Sequence, residues 1–444
     1  MMENAALQGN ALIHRILMRV TDVRPSEVKS VLFAFACNFV LMATYYLLRP
    51  VRDAMATVFG VGQLQNLFTG TLVITLCCSP VFAWLTDTFK LARVLTGIFW
   101  FLIVNLLGFY AWFQAEPGSR WFAAAFYWWF SVVNLFMVSV FWSLMVDLFT
   151  ATQATRLLPA IAAGGSIGAI AGPLVATLFV KGVGVSGVLL LAVAGFVLVI
   201  AAVHSLIREK LRLQEEHAET QASTLDHRLS GTMLDGFRAL FSSSYQLNQA
   251  IFMLLMTWIA TVGYFIQTDL ISAAFTGLAA RTQALANIDL VVNILSAAVS
   301  LFGLSHFIKR FGVTGGLALT PLLMAITFIL MALSPTLLMM QAMQVTRRVT
   351  QYAIARPSRE ICFTVVAQEG RYKAKNVIDV VVYRLGDLAS AWAQAGMRML
   401  GFGTAGGLGV GLIASGFWAL SAWKLGRQYE RRREKLGDAQ PTGR

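Results

Sequence analysis

Two stretches of this chain place guanidinium groups where few charges belong. The first ends an apolar run with YYLLRPVRDAM, in which Tyr45, Arg49 and Arg52 share a helical face at i, i+4 and i+7. Arg49 and Asp53 stand at i, i+4 and are able to neutralise each other. Pro50 can kink the helix there, which leaves Arg52 as the more available cation. The second stretch, MQVTRRVTQYAIARPSRE, places Arg348, Tyr352 and Arg359 on one stripe with Arg356 beside it. A charge inside a membrane span costs roughly 2.5–3.5 kcal/mol on insertion scales unless it is paired or faces water. Four arginines in thirteen residues must therefore face a wet cavity or acidic partners. Guanidinium groups grip phosphate and carboxylate bidentately, so the chemistry they suggest is recognition of an anion. An ion-pair lock between helices and an outer-end anchor are the alternative roles.

Other residues extend these clusters. In KAKNVIDVVVYRLGD, Asp379 and Tyr383 are one turn apart, and Arg384 and Asp387 can pair with each other. Lys375 sits at the expected cytoplasmic mouth, as an anion-greeting cation or as orientation charge. Asp147 and Asp269 are candidates for gating pairs or proton coupling. Gly164, Gly168 and Gly172 form a small face at i, i+4, i+8. Such a face permits close helix packing or a rocking contact, and Pro173 permits a bend. No GxxxxGK[ST] is present, and no Ser/His/Asp or Cys/His set is evident, so an enzyme is not expected. The five histidines form no HxxH pair and sit near no CxxC, so no metal and no cofactor is expected. Cys37, Cys77, Cys78 and Cys362 all fall in apolar runs, which argues against a disulfide framework.

These residues need elements to hold them. The chain of 444 residues is 57% hydrophobic and only 13% charged, against about 25% charged in a soluble domain. Its solvent must be partly lipid. Apolar runs of spanning length fall at 30–49, 64–85, 94–114, 121–146, 158–180 and 185–206, then at 247–268, 286–307, 314–333, 336–366, 376–399 and 404–426. The polar stretch 208–245 divides them. The expected organisation is a cytoplasmic segment 1–29, a six-helix bundle 30–207, a linker 208–245, a second bundle 246–426 and a basic tail 427–444. Residues 11–20 look like a short amphipathic helix, 231–241 like an interfacial one, and no cleaved leader is expected. With both termini inside, 24 basic residues fall in cytoplasmic segments and four in outer loops. That asymmetry fits the positive-inside rule, and the location it implies is the inner (plasma) membrane. The net charge of +13 is thus orientation charge rather than a nucleic-acid surface. A shift of 220 residues pairs Ala83 with Gly303, Lys90 with Arg310 and Ala92 with Gly312, a weak internal repeat.

Several motifs resemble known families. AWLTDTFKLAR (83–93) is similar to a loop motif of the major facilitator superfamily; Asp87 and Arg93 match, and Ala83 replaces the usual glycine. GAIAGP (168–173) resembles the Gly-Pro motif of antiporters in that superfamily. LRPVRD (48–53), FWSLMVDLFTATQATRLLPAIAAGGSIG (141–168), PSREICF (357–363) and KAKNVIDVVVYRLGD (373–387) resemble segments of the ATP/ADP translocase family of nucleotide transporters. The resemblance puts Arg52 and Lys375 on that family's important lysine positions. That family carries glutamates in the fourth and seventh spans. Here the fourth has no acid before Asp147, and the seventh offers Gln267 with Asp269 two residues on. The resemblance implies an all-α, major-facilitator-like fold of twelve transmembrane helices in two six-helix bundles, with spans one, four, seven and ten lining a cavity. It implies alternating-access exchange of a small anionic substrate, with a nucleotide as one member of that class. Tyr45, Arg52, Arg348, Tyr352, Arg359 and Lys375 are the expected substrate contacts. Asp87, Arg93, Asp147, Asp269, Asp379, Arg384 and Asp387 are the expected gating or coupling set. Proton-coupled export of an amphipathic compound, suggested by Trp128, Trp129 and Trp142, is a second reading. A non-transporting scaffold or sensor is a third.

Overall fold

The computed structural model describes residues 23–24, 27–88, 91–216, 238, 240–241, 243–366, 374–375 and 377–438, with some side chains among them excepted. The amphipathic segment expected at 11–20 and most of the linker lie outside the described residues. The rest is helical: α1 (Val28–Phe59), α2 (Leu64–Thr88), α3 (Leu91–Ala115), α4 (Arg120–Leu148), α5 (151–183), α6 (185–216), α7 (Ser244–Ala274), α8 (278–311), α9 (313–333), α10 (337–362), α11 (377–399) and α12 (Gly403–Asp438). Eight helical stretches among the described residues are long and apolar enough to cross a membrane. Two of them, 153–209 and 278–333, each hold a pair of helices. Gly184 (φ 69°) breaks α5 from α6, and Gly312 (φ 68°) breaks α8 from α9. Only glycine takes that backbone conformation without strain, so each break is written in the sequence. Ser119 and Thr336 cap α4 and α10 by accepting the backbone N–H three residues on.

The chain forms two compact units. The first contains residues 1–58, 74–227 and 278–290; the second contains 59–73, 228–277 and 291–444. Each half thus lends a short helical segment to the other unit, a departure from the simple six-plus-six division at the linker. α12 also runs unbroken through the expected boundary at 426 to Asp438.

In the first unit, the small face of α5 lies directly on α1. A Cβ built on Gly164, Gly168 or Gly172 would strike the carbonyl oxygen of Phe35, Phe39 or Ala43. These three glycines let α5 pack directly against α1. The Asn38 amide also donates to Ile161 O at 2.9 Å. At the start of α1, the buried carboxylate of Glu27 accepts from Arg156 at 3.0 Å, Gln153 at 3.0 Å and the Arg24 N–H at 3.0 Å. Burial opposes its ionisation, but these donors outweigh burial and hold its pKa below the ordinary value. A carboxylate with a lowered folded-state pKa stabilises the fold above its unfolded pKa, and that contribution is lost as pH falls through the folded value. Thermal unfolding followed between pH 7 and pH 4 should therefore show wild type losing more stability than Glu27→Gln. Parallel curves would remove Glu27 as an acid-sensitive tie.

In the second unit the packing is again by close approach. Gly386 of α11 abuts Thr257 and Leu254 of α7, and Gly316 of α9 abuts Ser358 of α10. Trp418 of α12 is fully buried against Phe252.

Candidate functional site

α10 and α11 are not among the helices apolar enough to cross a membrane by composition. Both also depart from regular α geometry, with π-helical turns at Gln351–Ala355 and Val377–Val382. Such turns are frequent at functional sites. Despite their charge, Arg348 and Arg359 of α10 are only 4% and 5% exposed.

Arg359 is held by acids on two segments. Its Nη1 lies 2.8 Å from Asp379 Oδ1 and its Nη2 lies 3.2 Å from Glu360 Oε1. Glu360 in turn takes Lys375, at 2.5 Å, and Lys375 also lies over the Phe363 ring at 5.5 Å. The four groups form a neutral chain of alternating sign. An anion reaching Arg359 or Lys375 would compete with carboxylates already seated there.

A second cluster lies among α7, α10 and α11. Thr261 donates to the buried carboxylate of Asp387 at 3.1 Å. The Tyr383 hydroxyl lies in the fields of Asp387, Arg384 and Arg347, with Tyr352 nearby. Arg384 also lies over the Tyr383 ring at 5.9 Å. Arg347 is positioned by glutamines before and after it, donating to Gln344 Oε1 at 2.9 Å and Gln351 Oε1 at 3.1 Å. Gln344 is itself anchored, donating to Gly263 O at 2.8 Å. Sequence reasoning singles out Arg348 and passes over Arg347. The missed signal is the pair Gln344 and Gln351, at i−3 and i+4 from Arg347.

The stripe of Arg348, Tyr352 and Arg359 does not continue as expected. A π-turn adds one residue to the helix, and every later residue is rotated by about 100°. The turn at Gln351–Ala355 lies between Arg348 and Arg359 and leaves Arg356 exposed.

In the first unit, Arg52 is the centre of an aromatic box. Its guanidinium carbon lies 5.3 Å from the Tyr127 ring centroid and 5.8 Å from that of Phe130. Tyr45 stacks on Phe130 at 5.2 Å with rings 12° apart. Asp53 accepts from its neighbour Arg52, at 2.9 Å from Nε and 2.5 Å from Nη2. Arg49 lies 3.8 Å from Asp289. Asp289 belongs to the 278–290 segment that packs in this unit, a neighbour that helical spacing in α1 cannot reveal. Arg281, from the same segment, donates to Thr57 at 2.9 Å.

Asp269 of α7 is paired with Arg398 of α11, whose guanidinium also lies over Phe265. The side chains of Asp87, Arg93 and Asp147 lie outside the described residues. Among the described residues no group of His, Cys, Asp and Glu could hold a metal ion.

The architecture has solved counterparts. The nucleoside transporter NupG superposes with a TM-score of 0.54 at 15% identity, covering 90% of this chain and 98% of that one. A bacterial homologue of the iron transporter ferroportin, in an inward-facing state, gives 0.60 at 12% identity over 89% and 98%. A bacterial homologue of the human lysosomal transporter Spinster gives 0.55 at 12% identity over 95% and 100%. The chain therefore has the fold of major-facilitator-type membrane transporters. No protein-family model matches it, and no curated protein does.

Proposed function

We propose that the chain is a secondary transporter that exchanges a small anionic metabolite by alternating access. The observation that carries this is the burial of Arg348 and Arg359 on α10, a helix that is not among those apolar enough to span a membrane by composition. Arg52 in its aromatic box supports the same reading, because a cation beside Tyr127 and Phe130 suits an anion attached to a planar ring. Within the anionic class, the motif resemblance favours a nucleotide. Twelve crossings with both termini in the cytoplasm complete the proposal. Arg52, Arg348 and Arg359 act as anion contacts, with Lys375 at the inner mouth.

The test is uptake of labelled ATP, and of a panel of anions, into proteoliposomes loaded with unlabelled substrate. Counter-exchange should appear for at least one anion and fall by tenfold or more in Arg52→Ala. If no anion exchanges, and Arg52→Ala and Arg348→Ala both leave the cell phenotype intact, the proposal fails. Proton-coupled export is the second reading, favoured by the buried carboxylate of Asp387 beside Tyr383 and Thr261. It requires transport to respond to an imposed proton gradient, which simple exchange does not.

A further inference from the structure

α12 divides along its length into a buried face and an exposed stripe that turns from apolar to cationic. Its inner face, Ala414, Trp418, Ala422, Leu425 and Tyr429, is buried. Its outer face carries Ile413, Phe417 and Leu420, all about 60% exposed, and then Lys424, Arg427 and Arg431, also exposed. The steps are four, three, four, three and four residues, so all six lie on one stripe of one helix. The stripe changes from hydrocarbon to cation at Trp423, whose exposed ring lies 4.0 Å from the Arg427 guanidinium carbon. Tryptophan is enriched at the boundary between hydrocarbon and headgroups. From Lys424 to Arg431 the helix rises roughly 10 Å, close to the depth of one headgroup layer, about 5–8 Å.

The helix is tied to its neighbours where it presents these cations. Thr314 at the start of α9 donates to Glu430 at 2.8 Å, and Gly426 packs directly on Thr314. Arg432 lies over the Tyr245 ring at 4.6 Å, and the Tyr245 hydroxyl donates to Cys362 O at 2.7 Å. The end of α8 reaches the same corner, because Gly312 lies beside Glu430. It brings Lys309 and Arg310, which come after the exposed Leu301 and Phe302 in the same apolar-to-cationic order. None of Lys309, Arg310, Lys424, Arg427 and Arg431 forms an ion pair with a described carboxylate.

We propose that this corner is a binding site for an anionic phospholipid, whose acyl chains lie along Phe417 and Leu420 and whose phosphate is held by Lys424, Arg427 and Arg431 with Lys309 and Arg310 opposite. Charge complementarity selects the headgroup, and the continuous apolar stripe selects a lipid over a free phosphate. The site is independent of the transported substrate.

The experiment titrates the purified full chain in neutral detergent with phosphatidylglycerol, phosphatidylcholine and inorganic phosphate, reading the unfolding midpoint and the bound lipid by native mass spectrometry. Phosphatidylglycerol should bind and raise the midpoint, and the other two should not. Each basic residue near an anionic surface contributes about fivefold in affinity, equivalent to ~1 kcal/mol. The triple variant Lys424→Gln, Arg427→Gln, Arg431→Gln should therefore weaken binding by about a hundredfold, and Arg427→Lys should keep most of it. Should the triple variant fail to fold, the double variant Lys309→Gln, Arg310→Gln reads the opposite wall, with an expected loss of about twentyfold. Equal binding of phosphatidylcholine, equal stabilisation by inorganic phosphate, or undiminished affinity in the folded variants overturns the proposal.

Discussion

Replacing Gly168 by leucine is expected to leave little folded protein in detergent extracts, and replacing it by alanine to lower the unfolding midpoint markedly. The position has no space for a first carbon: a Cβ there meets the carbonyl oxygen of Phe39 and the backbone nitrogen of Ala43. These are backbone atoms of α1, so relief requires moving the whole helix. Overpacking a core ordinarily costs about 1–3 kcal/mol, and a clash with a rigid backbone belongs at or above the top of that range. Gly108 of α3 is the control, since a Cβ there meets nothing within 4 Å. Gly108→Ala should be neutral or stabilise by up to ~1 kcal/mol through helix propensity. The contrast also has a functional side. α1 carries Tyr45 and Arg52, so a displaced α1 carries its cation away from Tyr127 and Phe130. Thermal unfolding of Gly168→Ala and Gly108→Ala side by side checks the claim, and equal midpoints would refute the packing of α5 on α1.

Much of this architecture is legible in the sequence because lipid imposes a simple rule: a span needs about 20 apolar residues. The run expected at 314–333 is α9 at 313–333, and even the charged run at 336–366 becomes α10 at 337–362. Gly312, paired with Ala92 by the weak repeat, proves to be the left-handed residue that separates α8 from α9. The glycine face of α5 is legible for the same reason, since small residues at helical spacing declare an approach whatever the partner. The hidden part depends on geometry that spacing does not encode. An arginine stripe on α10 assumes 3.6 residues per turn, and a single π-turn defeats that assumption. Spacing offers Arg49 a partner within its own helix, whereas Asp289 arrives from 240 residues away in a segment that packs with the first unit. Arg347 is interchangeable with Arg348 by composition, and only the two glutamines that hold it set it apart.

Neutralising Arg359 is expected to abolish exchange, and the manner of its rescue separates two roles for that residue. Arg359→Gln alone leaves Asp379 without its 2.8 Å partner and frees Glu360 to bind Lys375 alone. Breaking a buried pair from one side ordinarily costs about 3–5 kcal/mol; Asp379 keeps partial solvent contact, so the loss of stability should fall below that. Exchange should nevertheless fall by a hundredfold or more if the guanidinium grips the anion. The single variant cannot distinguish these effects, because loss of the pair and loss of the substrate contact coincide. The double variant Arg359→Gln, Asp379→Asn can, since it removes both charges and leaves no orphan. A structural lock predicts that the double variant recovers stability and exchange together. An anion contact predicts that stability returns while exchange stays lost, because no cation remains at the position. Measured as a cycle of four proteins, unfolding midpoint against exchange rate, recovery of both quantities would reduce Arg359 to a tie between α10 and α11 and move the anion path to Arg52 and Arg348.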